Sequence, residues 1–554
     1  MIYPIRYPLN SKKMLAKRIM VQGTGSGVGK SIITAALCRI FKQDGYKVAP
    51  FKAQNMALNS FVTSQGGEMG RAQVVQAEAA GIEPTVDMNP ILIKPTSDLG
   101  AQIILRGKPL GNMLANYYHN YKTKLIQIVS ESFLNLARKY QIIVIEGAGS
   151  PAEINLREND IVNMKMAEIA DSSVLLVADI DKGGVFAWIV GTLELLTEKE
   201  KDRVKGLIIN KFRGDINILK PGLDYLEEKC QKDILGIIPY FKDIRIEEED
   251  SLPLEKAISS PFRKKNRVNI EVLYLPHISN FTDFDCLEEE EDVSLYYVGN
   301  GKRIGTPDLL IIPGSKNTID DLSYLKKTGY YSQILALARK GKIILGICGG
   351  YQMLGKEIQD PYHTESTREK IEGLGLLDVT TILESSKITS QVKASLIGKE
   401  PFFIEEEISG YEIHTGITKL LKGVRPWFKI TRRSSPSENL ARRHGRDPRS
   451  FPLTSILSPK GRGNKWSGPP SKVNIEDGAI NKEGKIMGTY IHGLFDNHHF
   501  RGALLNYLRK RKGLSLYHSR NQASRLEKRN KEYDKLANLV RKNLDIEKIY
   551  QILE

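Results

Sequence analysis

The strongest constraint on this chain is the run Gly23-Thr24-Gly25-Ser26-Gly27-Val28-Gly29-Lys30-Ser31, set between the apolar stretch RIMVQ and the helical pattern IITAALCRIF. A strand that turns through glycines straight into a helix curls backbone N–H groups around a hollow, with the positive end of the helix dipole beneath it. Such a hollow suits phosphate. Lys30 would neutralise the outer phosphates of ATP and Ser31 would ligate Mg2+. The usual spacing places glycine at position 24, where this chain has Thr, so the loop is a variant whose first glycine comes one residue earlier. A second acidic group is expected at the end of a neighbouring strand. Glu146, after QIIVI and before Gly147-Ala148-Gly149, is the expected Mg2+ ligand or water-orienting group.

Further apolar runs at 47–51, 141–146, 173–179, 204–210 and 234–240 alternate with helix-length segments, the pattern of a parallel sheet covered by helices. They predict an ATP-binding domain over 14–246. Residues 247–267 lose periodicity and gain charge, Ser and Pro, and read as a linker. A second α/β unit follows over 268–511, with strands at 269–275, 308–313, 342–347 and 486–491 and a helix after Thr318. In the tail, 512–554, Leu536, Leu539, Val540, Leu544 and Ile549 fall at helical spacing. A chain of 554 residues exceeds what one hydrophobic core holds, so two domains or more are expected.

In the second unit KIILGI runs into Gly346-Ile347-Cys348-Gly349-Gly350 and then the helical YQMLGKEI. A cysteine on such a turn is exposed at a helix N-terminus, where thiolate is favoured, and it reads as a nucleophile. Of nine histidines, His492 in GTYIHG is the expected base, with His414 in GYEIHTG as its rival. The N–H groups of Gly349 and of Gly314, in Pro313-Gly314-Ser315, could stabilise an oxyanion. The four cysteines are scattered with no CxxC pair, which argues against a disulfide framework or a zinc site.

The net charge of +16 raises the question of nucleic acid. It is concentrated between positions 425 and 472, where twelve Lys and Arg face two acids in an Arg-, Ser-, Pro- and Gly-rich stretch with little core-forming periodicity. That stretch reads as a surface insert dividing the second unit. It lacks regular aromatics or a known module, so no nucleic-acid partner is expected. No apolar run approaches the roughly 20 residues of a membrane helix, and residues 1–18 lack a signal-peptide core; the expected location is cytoplasmic, with no membrane partner.

With these motifs in place the chain resembles the cobyric acid synthases, glutamine-hydrolysing ligases of cobalamin biosynthesis. The resemblance rests on FKAQNMALNS (51–60), IEGAGSPAEINL (145–156), DIDKGGVFA (179–187), NKFRGD (210–215), SNFTDFD (279–285), PGSKNTIDDL (313–322), GICGGYQMLG, GYEIHTG and GTYIHGLF. It implies an α/β architecture: a P-loop, dethiobiotin-synthetase-like parallel-sheet domain followed by a class I glutamine amidotransferase domain. It also implies a corrinoid substrate, adenosylcobyrinic acid a,c-diamide, amidated at its b, d, e and g carboxylates, with ATP consumed and glutamine as ammonia donor. On the same resemblance Lys52, Gln54, Asn55 and Asn59 would line the acyl-phosphate and corrinoid side, and Asn210 and Lys211 would lie near adenine. Cobyrinic acid a,c-diamide synthase shares both engines but amidates other carboxylates; a partitioning-type ATPase shares the variant loop and has no need of the thiol turn.

Many class I amidotransferases follow the catalytic histidine with Pro-x-Glu, whereas here His492 is followed by Gly-Leu-Phe-Asp. The expectation is therefore a Cys348–His492 dyad, with Asp496 only a distant substitute for the orienting acid.

Overall fold

Consecutive Val, Ile and Leu residues give strands buried on both faces, and the six runs of the first domain form one parallel sheet. Its order is Ile234–Pro239, Val204–Phe212, Ser173–Asp179, Lys17–Gly23, Ile142–Glu146, Val48–Phe51. The computed structural model describes residues 16–95, 100–114, 122–247, 265–399, 401–433, 472–517 and 525–554. Strand Lys17–Gly23 lies between its two key neighbours, with Val21 opposite Glu146 and Gly23 opposite Val177. The glycine loop and Glu146 therefore emerge at the same, C-terminal, edge of the sheet, where open α/β sheets form their binding crevice.

The helix Lys30–Gln43 leaves the loop at Gly29, whose φ of 106° is a left-handed conformation suited to glycine. Its Ile33, Leu37 and Ile40 are fully buried in one face of the sheet's core. A small four-stranded sheet, Gln54–Met56, Ile91–Pro95, Gly100–Leu105 and Lys108–Leu114, stands beside the main one.

The second domain is built on a seven-stranded sheet in the order Val293–Val298, Val268–Leu273, Leu309–Ile312, Ile343–Ile347, Ile486–Thr489, Ala479–Asn481, Val424–Arg425. The first five strands are parallel and the last two antiparallel. A second sheet pairs the long strand Val379–Leu396 with Ile408–Leu420 and with Phe428–Arg433, which in turn pairs with Lys472–Asp477.

Those last pairings correct the boundaries of the basic insert. Trp427 and Phe428 are fully buried, so the chain from Val424 to Arg433 belongs to the domain's framework. Apolar aromatic area outweighs the local excess of Arg there. Residues 434–471 lie outside the described residues, as do 248–264 of the expected linker. Glu247, at the linker's edge, is not loose: it receives Arg71 and Arg525 at 2.6 Å each and Arg529 at 2.8 Å.

The tail forms the helices Arg525–Asn543 and Ile546–Leu553, which return to the first domain. Tyr533, Leu536, Val540 and Ile549 are buried in one cluster with Ile33, Leu37 and Phe41 of the loop helix, and Arg39 pairs with Asp534 at 2.8 Å.

Candidate active site

The phosphate loop is held by backbone carbonyls, its own and those of neighbouring segments. Thr24 N–H donates to the Val177 carbonyl at 3.0 Å, and the Lys30 ammonium spans the hollow to the carbonyls of Gly25 at 2.7 Å and Gly149 at 3.0 Å. Gly23 and Gly29 tolerate no side chain: a Cβ at Gly23 would press on Val28 and one at Gly29 would collide with the Asn210 carboxamide. Gly27 adopts φ 70°, while Ser26 lies exposed at the loop's tip.

Asn210 and Lys211, expected near adenine, brace this loop from the adjacent strand. The Asn210 amide donates to the Val28 carbonyl at 2.8 Å; the Lys211 ammonium reaches the Gly27 carbonyl at 2.6 Å and Asp179 at 2.8 Å.

Beside the loop, the Ser31 hydroxyl donates to Glu146 Oε1 at 2.8 Å, and the Lys52 ammonium meets the same oxygen at 2.9 Å. Gln76 donates to the second oxygen. Glu146 is buried, which alone would raise its pKa, but Lys52 and the hydrogen bonds from Gln76 and Ser31 hold it below the ordinary carboxylate range. An ionised carboxylate next to a serine hydroxyl at the mouth of a phosphate loop offers the hard oxygen donors that Mg2+ prefers.

Of the other residues expected on the substrate side, Gln54 is half-buried in a short strand and Asn55 donates to Gln73 Oε1 at 2.9 Å, behind Glu146. Asn59 meets the second domain. It is fully buried, and its Oδ1 accepts from Phe281 N–H of the second domain at 3.1 Å, while Asn280 Oδ1 accepts from Ser60 N–H at 3.1 Å. The two side chains clasp the domains together.

In the second domain the strand Ile343–Ile347 ends at Cys348, whose φ of 50° and ψ of −109° are strained for any side chain. The helix Gly349–Leu354 begins immediately after it, leaving the Gly349 N–H without an intrahelical partner. Glycine is required at 350, because a Cβ there would collide with the Ile312 carbonyl. A Cβ at Gly349 would come 2.9 Å from Ser315 N, and one at Gly314 3.3 Å from His492 Cε1, so the backbone of both expected oxyanion glycines lies against the thiol site.

His492 is buried, lines one pocket with Cys348 and stacks on Tyr411, while the Cys348 thiol donates to the Ile413 carbonyl at 3.4 Å. Its Nδ1 lies 2.6 Å from Asp283 Oδ2, and the other oxygen of Asp283 accepts from Gly493 N–H at 3.0 Å. The expected dyad is thus corrected to a Cys348–His492–Asp283 triad. The acid comes from the turn Phe281–Phe284, far upstream, and not from the segment after His492. Burial opposes the charged imidazole, yet Asp283 together with Cys348 holds its pKa up at about 10. Asp496 is paired with Arg525 instead. His414 stacks on Tyr490 with Nδ1 at 2.8 Å from the Gly416 carbonyl, along the wall of the same pocket.

Asp283 was within reach of the sequence: SNFTDFD sets an acid between two phenylalanines that are both buried, an arrangement that needs a polar partner for the acid.

The thiol pocket touches the first domain. Lys94 lines it together with Lys387, and the two ammoniums share the buried carboxylate of Glu68, at 2.9 and 2.5 Å. Lys94 also donates to Ser60 Oγ at 2.9 Å. Burial pushes the Lys387 pKa down to about 7, and the lysines hold Glu68 well below the usual carboxylate range.

Among known proteins, residues 19–254 match the family model of the CobQ/CobB/MinD/ParA nucleotide binding domain, and residues 269–448 that of the CobB/CobQ-like glutamine amidotransferase domain. The chain is 50% identical over 546 residues to a cobyric acid synthase of Caldanaerobacter subterraneus subsp. tengcongensis, covering 98% of this chain and 99% of that one. It is 51% identical over 537 residues to a cobyric acid synthase of Clostridium botulinum (strain 657 / Type Ba4), covering 97% of this chain and 99% of the relative.

Proposed function

The chain belongs to the cobyric acid synthase family, and from that premise we propose that the two sites act in sequence on one substrate, the phosphate-loop site activating a carboxylate and the triad supplying the ammonia. It is a glutamine-hydrolysing ligase of cobalamin biosynthesis with a nucleotide-binding domain and an amidotransferase domain. The substrate we assign is adenosylcobyrinic acid a,c-diamide, amidated at the b, d, e and g carboxylates to adenosylcobyric acid. The observation that carries the reading is the presence of both sites in one chain, joined through a buried interface.

A carboxylate is a poor electrophile at neutral pH, so its oxygen must first become part of a leaving group. Lys30 and the loop N–H groups stabilise transfer of the γ-phosphoryl group of ATP to a substrate carboxylate oxygen, giving an acyl phosphate and ADP. Ser31 and Glu146 would hold Mg2+, which supplies charge neutralisation on the phosphates when bound. Lys52, ion-paired with Glu146, would steady the charge that develops on the acyl phosphate.

In the second domain the Cys348 thiolate attacks the glutamine side-chain carbonyl while the N–H groups of Gly349 and Gly314 receive the oxyanion. The C–N bond breaks and His492, its imidazolium supported by Asp283, protonates the departing ammonia. Water then hydrolyses the γ-glutamyl thioester with His492 as base, releasing glutamate. The ammonia attacks the acyl phosphate, forming the amide C–N bond and expelling inorganic phosphate.

No helix among the described residues is long and apolar enough to cross a membrane. The reading needs no nucleic-acid or membrane partner, and cytoplasmic substrates suffice for it.

The test supplies adenosylcobyrinic acid a,c-diamide, ATP, Mg2+ and glutamine and follows the corrinoid by mass. Four successive changes, each replacing one hydroxyl by one amino group, are expected. An unchanged corrinoid mass would overturn the assignment.

A further inference from the structure

Glutamine hydrolysis needs more than a thiol, because the enzyme must distinguish free glutamine from every other primary amide. With the amide carbon at Cys348 Sγ, the α-carbon of glutamine lies about 4–5 Å further out along its extended stem. There the substrate carries a carboxylate and an ammonium, whose burial demands one protein charge of each sign.

The thiol pocket contains several charged groups, and most are already committed. Lys94 and Lys387 are both bound to Glu68, and His492 is bound to Asp283. Lys316 and Glu365 remain.

Lys316 follows Ser315 in the turn that lies against Gly349, and its backbone N–H is fixed by the His277 carbonyl at 2.9 Å. Its half-buried side chain lines the pocket, yet among the described residues its ammonium makes no hydrogen bond or ion pair. Glu365 is half-buried across the same pocket. Its Oε2 accepts from Thr318 N–H at 2.7 Å, and among the described residues Oε1 has a long contact, 3.5 Å, with the Thr415 hydroxyl. Both side chains line the pocket, and among the described residues no ion pair joins them, which leaves a place for a zwitterion between them.

We propose that Lys316 binds the α-carboxylate of glutamine and Glu365 its α-ammonium, so that this pair sets the amino-acid specificity of the glutaminase site. The inference rests on the amidotransferase reading of Cys348 and adds to it the residues that recognise the end of the substrate remote from the bond being broken. A charge-assisted hydrogen bond to each of the two α-groups fixes the α-carbon, so only a stem of glutamine's length presents its amide to the thiol.

Two truncated substrates test each contact separately. 4-Aminobutanamide lacks the α-carboxylate, and 4-carbamoylbutanoate lacks the α-ammonium. Lys316→Met is expected to lower kcat/KM for glutamine at least tenfold, chiefly through KM, and to leave kcat/KM for 4-aminobutanamide within about twofold. Glu365→Gln is expected to do the same for glutamine while sparing 4-carbamoylbutanoate. Penalties of equal size on all three amides would mean that the residues only support the pocket, and would overturn the proposal.

Alkylation of Cys348 gives a second readout that does not depend on turnover. In both variants the glutamine analogue 6-diazo-5-oxo-norleucine should label Cys348 at least tenfold more slowly than in the parent, with iodoacetamide labelling unchanged. Unchanged labelling by the analogue would overturn the pair. Failure of the analogue to label the parent protein at Cys348 would sink the glutaminase reading itself, and the proposal with it.

Discussion

Asp283 Oδ2 lies 2.6 Å from His492 Nδ1, although 209 residues separate the two in the chain. The carboxylate fixes the imidazole in one orientation and supports its charged form, the role that the Glu of a Pro-x-Glu segment would otherwise fill. Asp283→Asn should therefore lower glutaminase kcat by about 10²- to 10⁴-fold, the usual range for a lost acid–base function. It should also move the alkaline limb of the pH profile down toward neutrality. Glutamate release followed from pH 6 to 10 checks both; an unshifted profile with unchanged kcat would remove Asp283 from the triad.

The same contact has a stability consequence. The pKa of His492 is raised from 6.5 to about 10, so its charged pair with Asp283 contributes fully below about pH 6.5 and is lost as pH rises through about 10. Thermal unfolding should show the parent losing this advantage over Asp283→Asn across that window. A difference in melting temperature that stays constant from pH 6 to 10 would contradict the sign.

Cys348→Ala should abolish glutamine-dependent amidation and leave synthesis from added ammonium salts. Equal loss of both would make Cys348 a structural residue. The comparison needs only corrinoid mass and two nitrogen sources.

Lys30→Ala should remove synthesis from either nitrogen source, since both need the acyl phosphate. Glu146→Gln should do so too, and at a cost in stability: it leaves the Lys52 ammonium, 8% exposed, without its anion. Breaking one partner of such a buried pair costs about 3–5 kcal/mol. Denaturant unfolding measures it, and a cost below about 1 kcal/mol would mean that Lys52 does not depend on the charge of Glu146.

Asn59 tethers the turn that carries Asp283, because its Oδ1 holds Phe281 N–H across the domain boundary. Asn59→Ala leaves that buried N–H without its acceptor, a penalty of about 1–3 kcal/mol. The expected result is a greater loss of glutamine-dependent than of ammonium-dependent synthesis. Equal losses would assign Asn59 to the ATP side after all.

Much of this was legible because local chemistry and local structure agree. The six strands of the first sheet are unbroken apolar runs, and the two turns, around Lys30 and Cys348, carry their function within a few residues. What escaped depends on pairing at a distance. The strand Val379–Leu396 reads VTTILESSKITSQVKASL, too polar to announce itself, and is a strand because Ile408–Leu420 runs antiparallel beside it. Trp427 and Phe428 were submerged in a count of nearby arginines, and Asp283, for all its placement between two phenylalanines, lies 209 residues from the histidine it orients. Glu68 could not be assigned at all until Lys94 and Lys387, from different domains, were seen to share it.

The packing of Tyr533, Leu536 and Val540 on the helix that follows the phosphate loop also orders events during synthesis. A nascent chain emerges with its ATP-binding half first, but the outer face of the loop helix stays bare until residues 525–553 leave the ribosome some five hundred residues later. A polypeptide that stops early would lose His492 and this covering together, exposing apolar surface to chaperones and proteases.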